Sequence, residues 1–215
     1  MKKIIAIITP LFLLLTVSAK SAELGMGITA AIHSMDASGT ETTRQNSTAN
    51  TASHSEDAAV PEIFAEAIAD NGWAIGLSYI PTRSMGSKSR TDTNAAADTG
   101  TYTAKAELSN VVQLYTDIPL PVNFPVHLKL GLQHVTLTTL ESLNSGSTYP
   151  DANLVGWTVG IGNKGSVPFA PDNMYYKAEV TYTDFDDYSA MSSGDNKLEA
   201  ELDSMAGKLS IGYKF

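Results

Sequence analysis

The chain has 215 residues and no cysteine, which excludes a small scaffold stapled by disulfides. Its formal charge of −9 excludes the basic footprint that nucleic acid or an anionic lipid surface requires of a partner. The length suits one domain, and no shift in composition marks a second.

The opening residues, MKKIIAIITPLFLLLTVSAKSAEL, join Lys2 and Lys3 to an apolar run, Ile4–Leu15, and then to the small residues Val17-Ser18-Ala19. This is the layout of a secretory signal peptide, cleaved after about residue 19–22. The run is shorter than the roughly 20 residues with which a helix crosses a bilayer. Residues 1–22 are therefore expected to direct export, leaving 23–215 as one mature domain, more acidic by the loss of the leader's lysines, Lys2 and Lys3 among them.

Leu24, Met26, Ile28, Ala30 and Ile32 alternate with Gly25, Gly27, Thr29, Ala31 and His33, the period of a first strand. Ser34–Val60 is Ser, Thr, Ala, Asn, Asp and Glu with hardly a large apolar side chain, and reads as a mobile loop. Glu62–Ala69 makes a second strand, with Ile63, Ala65, Ala67 and Ala69 opposite Glu62, Phe64, Glu66 and Ile68. Asp70-Asn71-Gly72 supplies a tight hairpin turn into a third strand carrying Trp73, Ile75, Leu77 and Tyr79. A second polar loop, Thr82–Gly100, holds no packing residue beyond Met85. The fourth strand sets Ala104, Ala106, Leu108, Val112 and Leu114 against Lys105, Glu107, Ser109 and Gln113, and ends at a proline-pinned turn, Pro119–Pro125.

The fifth strand places Val126, Leu128, Leu130 and Leu132 opposite His127, Lys129, Gly131 and Gln133. A third loop, Thr139–Asn153, leads to the sixth, where Val155, Trp157, Val159 and Ile161 oppose Gly156, Thr158, Gly160 and Gly162. After a Gly/Pro turn, Asn163–Asn173, the seventh places Tyr176, Ala178, Val180 and Tyr182 opposite Tyr175, Lys177, Glu179 and Thr181. The acidic fourth loop, Asp184–Asp203, contains a possible helical turn at 196–205 and could gather a hard cation, although it lacks the spacing of a preformed calcium loop. The last strand, MAGKLSIGYKF, alternates Met205, Gly207, Leu209, Ile211, Tyr213 and Phe215 with Ala206, Lys208, Ser210, Gly212 and Lys214.

Eight strands joined by connections alternately long and short, with both ends on the short-turn side, predict an all-β, eight-stranded antiparallel up-and-down transmembrane barrel. Strands of nine residues at ~3.4 Å each, tilted about 40°, span roughly 25 Å, the height of the apolar band of such a barrel. Trp73, Tyr175, Tyr176, Tyr213 and Phe215 fall near the short-turn rim, and Tyr79, Trp157 and Tyr182 near the long-loop rim, as two aromatic girdles. The other parity is Gly, Thr, Ser, Gln, Lys and Glu, which makes no dry core, so the apolar parity is the one that faces lipid.

The signal peptide, the eight strands and the strand ending on Phe215 resemble the small OmpA/OmpX-type outer-membrane barrels of Gram-negative bacteria over essentially the whole mature chain. The resemblance implies an outer-membrane location with the long loops outside and the termini in the periplasm. It implies outer-membrane lipid and lipopolysaccharide as surroundings, and a monomer with no nucleic-acid partner. It also implies that Tyr213 and Phe215 form the signal read by the barrel assembly machinery, with no peptidoglycan-binding domain after Phe215.

Three constellations are candidates for chemistry. The inward charges Glu66, Lys105, Glu107, Lys129, Lys177, Glu179 and Lys208 form either a salt-bridged plug or a selectivity site for a small solute. The plug is the stronger reading, because eight strands leave room mainly for side chains. Inward glycines at 131, 156, 160, 162 and 212 suggest water-filled pockets around it. His127 faces the lumen without a metal-like neighbour at ligand spacing. His134, Thr136 and Glu141 follow an order that resembles the His-Ser-Glu arrangement of lipid A deacylase barrels, but Thr stands where Ser is needed. The expected protein is a non-enzymatic structural or surface-interaction barrel without cofactor or metal, the alternatives being a narrow porin-like barrel and, more remotely, a lipid A-modifying enzyme.

Overall fold

The computed structural model describes residues 22–44, 47, 49–92, 100–122, 124–142 and 147–215; residues 1–21 of the expected signal peptide lie outside them. Ten strands follow: β1 (Ala22–Thr42), β2 (Ala49–Ala69), β3 (Ala74–Ile80), β4 (Arg83–Asp92), β5 (Gly100–Pro119), β6 (Val126–Thr139), β7 (Ala152–Ser166), β8 (Met174–Phe185), β9 (Tyr188–Met191) and β10 (Lys197–Lys214). Strands β3 and β4 succeed one another along one stave of the wall, as do β8 and β9, so the wall has eight staves. Each pairs antiparallel with its sequence neighbour, and β1 closes the ring on β10 from Gly25 opposite Lys214 to Thr42 opposite Lys197. Closure leaves no sheet edge within the lipid-facing band, as a barrel in a bilayer requires.

The lower half of the wall is inside out. Ile28 (66% exposed), Ile32 (64%), Ile63 (59%) and Leu209 (58%) point outward, while Thr29, Glu66, Lys177 and Ser210 are buried inside. In water this would collapse; in lipid it is the favourable arrangement. Asn71 and Gly72 close the first short turn: Gly72 has φ +85°, and the Asn71 side chain accepts from the Trp73 amide at 3.1 Å.

Above this band the pattern reverses. Met35, Val60, Ile80, Met85, Leu108, Val111, Val135, Leu137, Leu154, Phe185, Tyr188 and Leu202 form an apolar cluster inside the barrel, and the outward residues become polar. The sequence reading of a lumen without a dry core therefore holds only in the lipid-facing part. The reversal is forced by solvent, because a wall standing in water must hide its apolar side chains inside.

On β3–β4 and β5 the reversal takes an irregularity in each strand. Ile80 pairs with Val111 and Arg83 with Leu108, so Pro81-Thr82 and Ser109-Asn110 are intercalated at the same height. Asn110 adopts φ +51°, and the ladder to β6 shifts there too. Both staves change parity together and stay paired.

Three of the four long loops are shorter than the sequence suggests. Most of Ser34–Val60 belongs to β1 and β2, which pair from Ala22 opposite Ala69 to Thr42 opposite Ala49. The polar stretch after Ile80 contains β4, and the acidic stretch contains β9 and the first turns of β10, where a strand replaces the expected helical turn. These segments lack apolar alternation because no lipid covers their outer face and only a few of their inward residues, such as Met35, Val60, Met85 and Leu202, join the apolar cluster. Their order comes from backbone pairing to a neighbour already in place, which composition does not reveal. Loop three stays as expected, between β6 and β7.

Candidate functional site

The lumen is filled in layers. Toward the short-turn end, Glu66, 2% exposed, accepts from Lys177 and Lys164 at 2.8 Å each and from the Tyr115 hydroxyl at 2.7 Å. Asp117 lies 2.6 Å from the Lys129 ammonium and 3.5 Å from that of Lys177. Glu179 contacts Lys129 at 3.1 Å and His127 Nε2 at 2.8 Å. The rings of Tyr115, Phe64 and Tyr175 sit under the ammonium groups of Lys129, Lys177 and Lys164 at 3.5, 4.3 and 4.6 Å, adding cation–π attraction to the ion pairs. One step higher, Glu62 accepts from Lys208 at 3.0 Å and contacts His33 Nε2 at 2.9 Å.

A neutral layer comes next, where Gln113 donates to Thr158 (3.0 Å), Gln133 donates to Thr183 (3.2 Å), and the Thr158 and Thr183 hydroxyls are bonded at 2.9 Å. The apolar cluster then caps the stack. A cavity of about 10 Å3 lies between the two charged layers, lined by Thr29, Glu62, Phe64, Ser78, Gln113, Tyr115, Lys129, Lys177, Glu179, Lys208 and Ser210. It is about the size of one water.

The inward glycines contribute close approach rather than voids. A Cβ on Gly212 would stand 2.4 Å from the Tyr175 ring, and one on Gly162 would stand 2.7 Å from Glu179 and 2.8 Å from His127. The expected water pockets are thus occupied by the side chains that the missing Cβ atoms admit.

Of the sequence-selected charges, Glu66, Lys129, Lys177, Glu179 and Lys208 converge in the lumen. Lys105 and Glu107 do not: they lie above the parity change in β5, point outward, and pair with each other at 3.6 Å. A single continuous register places them inside, but β5 carries one extra residue against β6 at Ser109–Val112, which inverts the parity. The network also has members the sequence reading left out. Asp117 and Lys164 extend the inward parities of β5 and β7 beyond where those strands were followed, and His33 and Glu62 already stood on the inward side of their strands. Asp117, His127 and Glu179 bring ligand-type atoms within 4.8 Å of one another, a convergence that spacing in sequence does not reveal. The cation lodged among them is the Lys129 ammonium.

Trp73, Tyr79, Trp157, Tyr176, Tyr182, Tyr213 and Phe215 all lie on the outer surface, with Trp157 edge-on to Tyr182 at 5.9 Å and Tyr213 edge-on to Phe215 at 5.0 Å. Tyr175 instead turns inward and is 2% exposed. His134 is exposed on the outer face. The Thr136 hydroxyl donates to Asn153 at 3.0 Å, and the Glu141 carboxylate accepts from the Tyr149 amide, so both are engaged elsewhere than with His134.

At the long-loop end the connections are tied together. Tyr149 donates to Glu41 at 2.8 Å, Asn196 donates to the same carboxylate at 3.1 Å, and Ser193 pairs with Thr148 through two bonds. Burial raises the Tyr149 hydroxyl well above its usual range, reinforced by the bond to Glu41. Tyr188 is pushed up to about 12 by burial and by Glu141 and Asp151 nearby. On the outside, just above the lipid-facing band, Asp36, Asp203 and Asp184 stand directly opposite one another on β1, β10 and β8. Partial burial and these two neighbours hold the Asp203 carboxyl above the ordinary range.

No family model matches the sequence, and no curated protein does. Among solved structures the chain is similar to outer membrane protein AlkL, determined in DMPC bilayers, with a TM-score of 0.51 at 10% identity over 91% of this chain and 90% of that one. Weaker likenesses include the outer membrane protease OmpT of Escherichia coli (TM-score 0.47, 10% identity, 91% of this chain and 98% of that one). Another is Ail, the attachment invasion locus protein of Yersinia pestis (TM-score 0.34, 14% identity, 88% and 99%). At such identities the likeness concerns fold alone: the chain has the fold of the small outer-membrane β-barrels.

Proposed function

We propose that the protein is a closed, non-enzymatic barrel of the bacterial outer membrane that works through its outer surface, as a structural or surface-interaction element. The observation that carries this reading is the double obstruction of the lumen, by a salt-bridged network at one height and a packed apolar cluster at another. Eight staves leave an interior about as wide as its side chains, and here those side chains meet. The interlocked connections at the long-loop end support a shaped, presented surface. Membrane lipid and lipopolysaccharide surround the apolar band, and the exposed pair Tyr213 and Phe215 is offered to the assembly machinery from the periplasmic end.

The test is conductance. The mature chain reconstituted in planar bilayers should leave the membrane current near its baseline across moderate voltages. Large, steady, ion-selective steps from the unmodified protein would overturn the closed-barrel reading and put a pore in its place.

A further inference from the structure

Arg83 is the one lumen cation of the described residues without a carboxylate of its own. The four inward carboxylates, Glu62, Glu66, Asp117 and Glu179, are taken by Lys208, Lys164, Lys177 and Lys129. Arg83 is 3% exposed, its Nε meets only the Met35 sulfur at 3.1 Å, and neither Nη1 nor Nη2 bonds any protein group. A thioether is a weak acceptor. A guanidinium stays charged in any protein setting, so burying one with both terminal nitrogens unbonded is costly. A water could accept a hydrogen bond there but would leave only Glu62, already held by Lys208 and His33, to offset the charge.

The surroundings define what fits. Two adjacent free Nη groups in one plane match the two oxygens of a carboxylate, which they bind bidentately. Met35, Ile80, Met85 and Leu108 share one apolar cluster, with Leu108 directly opposite Arg83 across the ladder. Two of these are methionines, side chains that shift readily to admit a guest. The hydrogen-bond ladder is also incomplete at this height. β2 pairs with β3 only from Ile63 to Ile68, and β4 is hydrogen-bonded to β5 alone, so above Tyr79 a seam runs between β2 and β4 that is closed by side chains only, His54 and Glu56 lying against Gly86. Pro61 and Pro81, which have no amide hydrogen, flank its lower end. We propose that Arg83 anchors an internal binding site for a short aliphatic carboxylate, entered through this seam, with the acid on Nη1 and Nη2 and the alkyl group among Met35, Ile80 and Met85.

The experiment uses the full mature chain refolded in zwitterionic detergent with 13C-methyl methionine, titrated with butyrate and, at matched ionic strength, with chloride. The Met35 and Met85 methyl signals should move saturably with butyrate and not with chloride. Arg83→Lys, which keeps charge but loses the fork, should weaken binding about tenfold, and Arg83→Met should abolish it. Because Arg83→Met removes a surplus buried charge, it should unfold at a midpoint no lower than the parent, and butyrate should raise the midpoint of the parent alone. Equal butyrate titrations in parent and Arg83→Met, no saturable shift at Met35, or an equal response to chloride would each overturn the site.

Discussion

Lys177 is 2% exposed and reaches Glu66, Tyr115 and Asp117 at once, so its loss leaves Glu66 to Lys164 and Asp117 to Lys129 alone. Breaking a buried pair outright costs about 3–5 kcal/mol, and the two remaining lysines keep the cost within that bound. Lys177→Ala should therefore lower the unfolding free energy in detergent by up to that amount, whereas Lys177→Met combined with Glu66→Gln should recover a large part of it. If the two variants unfold alike, the network is not the stabilising unit. The outward carboxylates make the opposite prediction. Like charges directly opposite on adjacent strands repel, and Asp203 stands between Asp36 and Asp184. Its carboxyl is held above the ordinary range, so the folded state binds this proton more tightly than the unfolded one. The associated stabilisation is full below the ordinary carboxyl range and is lost as pH rises through the elevated folded value. Asp203→Asn should accordingly raise the thermal midpoint at neutral pH, with a gain that shrinks on acidification or in high salt.

At the scale of the strand, the parity change in β5 separates what the sequence reveals from what it hides. Alternations of seven to eleven residues such as Val155–Ile161 or Met205–Phe215 determine both period and face, because lipid on one side and charge on the other leave one arrangement. The same alternation carried through Ser109-Asn110 assigns Lys105 and Glu107 to the wrong side. Asn tolerates φ +51° better than most residues, but nothing in a string of letters distinguishes this Asn from one in a regular strand. The tall β1–β2 hairpin is hidden for a different reason: its upper rungs are mostly Ser, Thr, Ala and acidic or amide residues on both faces, a composition shared with unstructured loops. Asn110→Val should cost about 1–2 kcal/mol, since a β-branched residue strains at positive φ, while Asn110→Gly should be nearly neutral in the same unfolding assay. Equal effects would mean that the backbone there is not held at positive φ.

Across the whole molecule, β1 and β2 are 21 residues each. At ~3.4 Å per residue and a tilt of about 40° they rise roughly 55 Å, some 30 Å beyond the apolar band. The molecule is thus a membrane barrel below and a water-soluble barrel above, built on ladders that run through every junction except that between β2 and β4, and changing solvent without changing chain direction. That geometry has a mechanical side. A probe tethered at Thr43, made attachable by a lone Thr43→Cys in a chain with no other cysteine, pulls β1 and β2 along their own axes and loads their rungs in shear. On one flank the rungs to β10 run from Gly25 to Thr42, and on the other those to β3 run only from Ile63 to Ile68. The wall should tear first along the short flank, releasing β2 from β3 before β1 parts from β10. Force traces should then show a weak early rupture followed by a stronger one, with the hairpin leaving the barrel as the first lever to give.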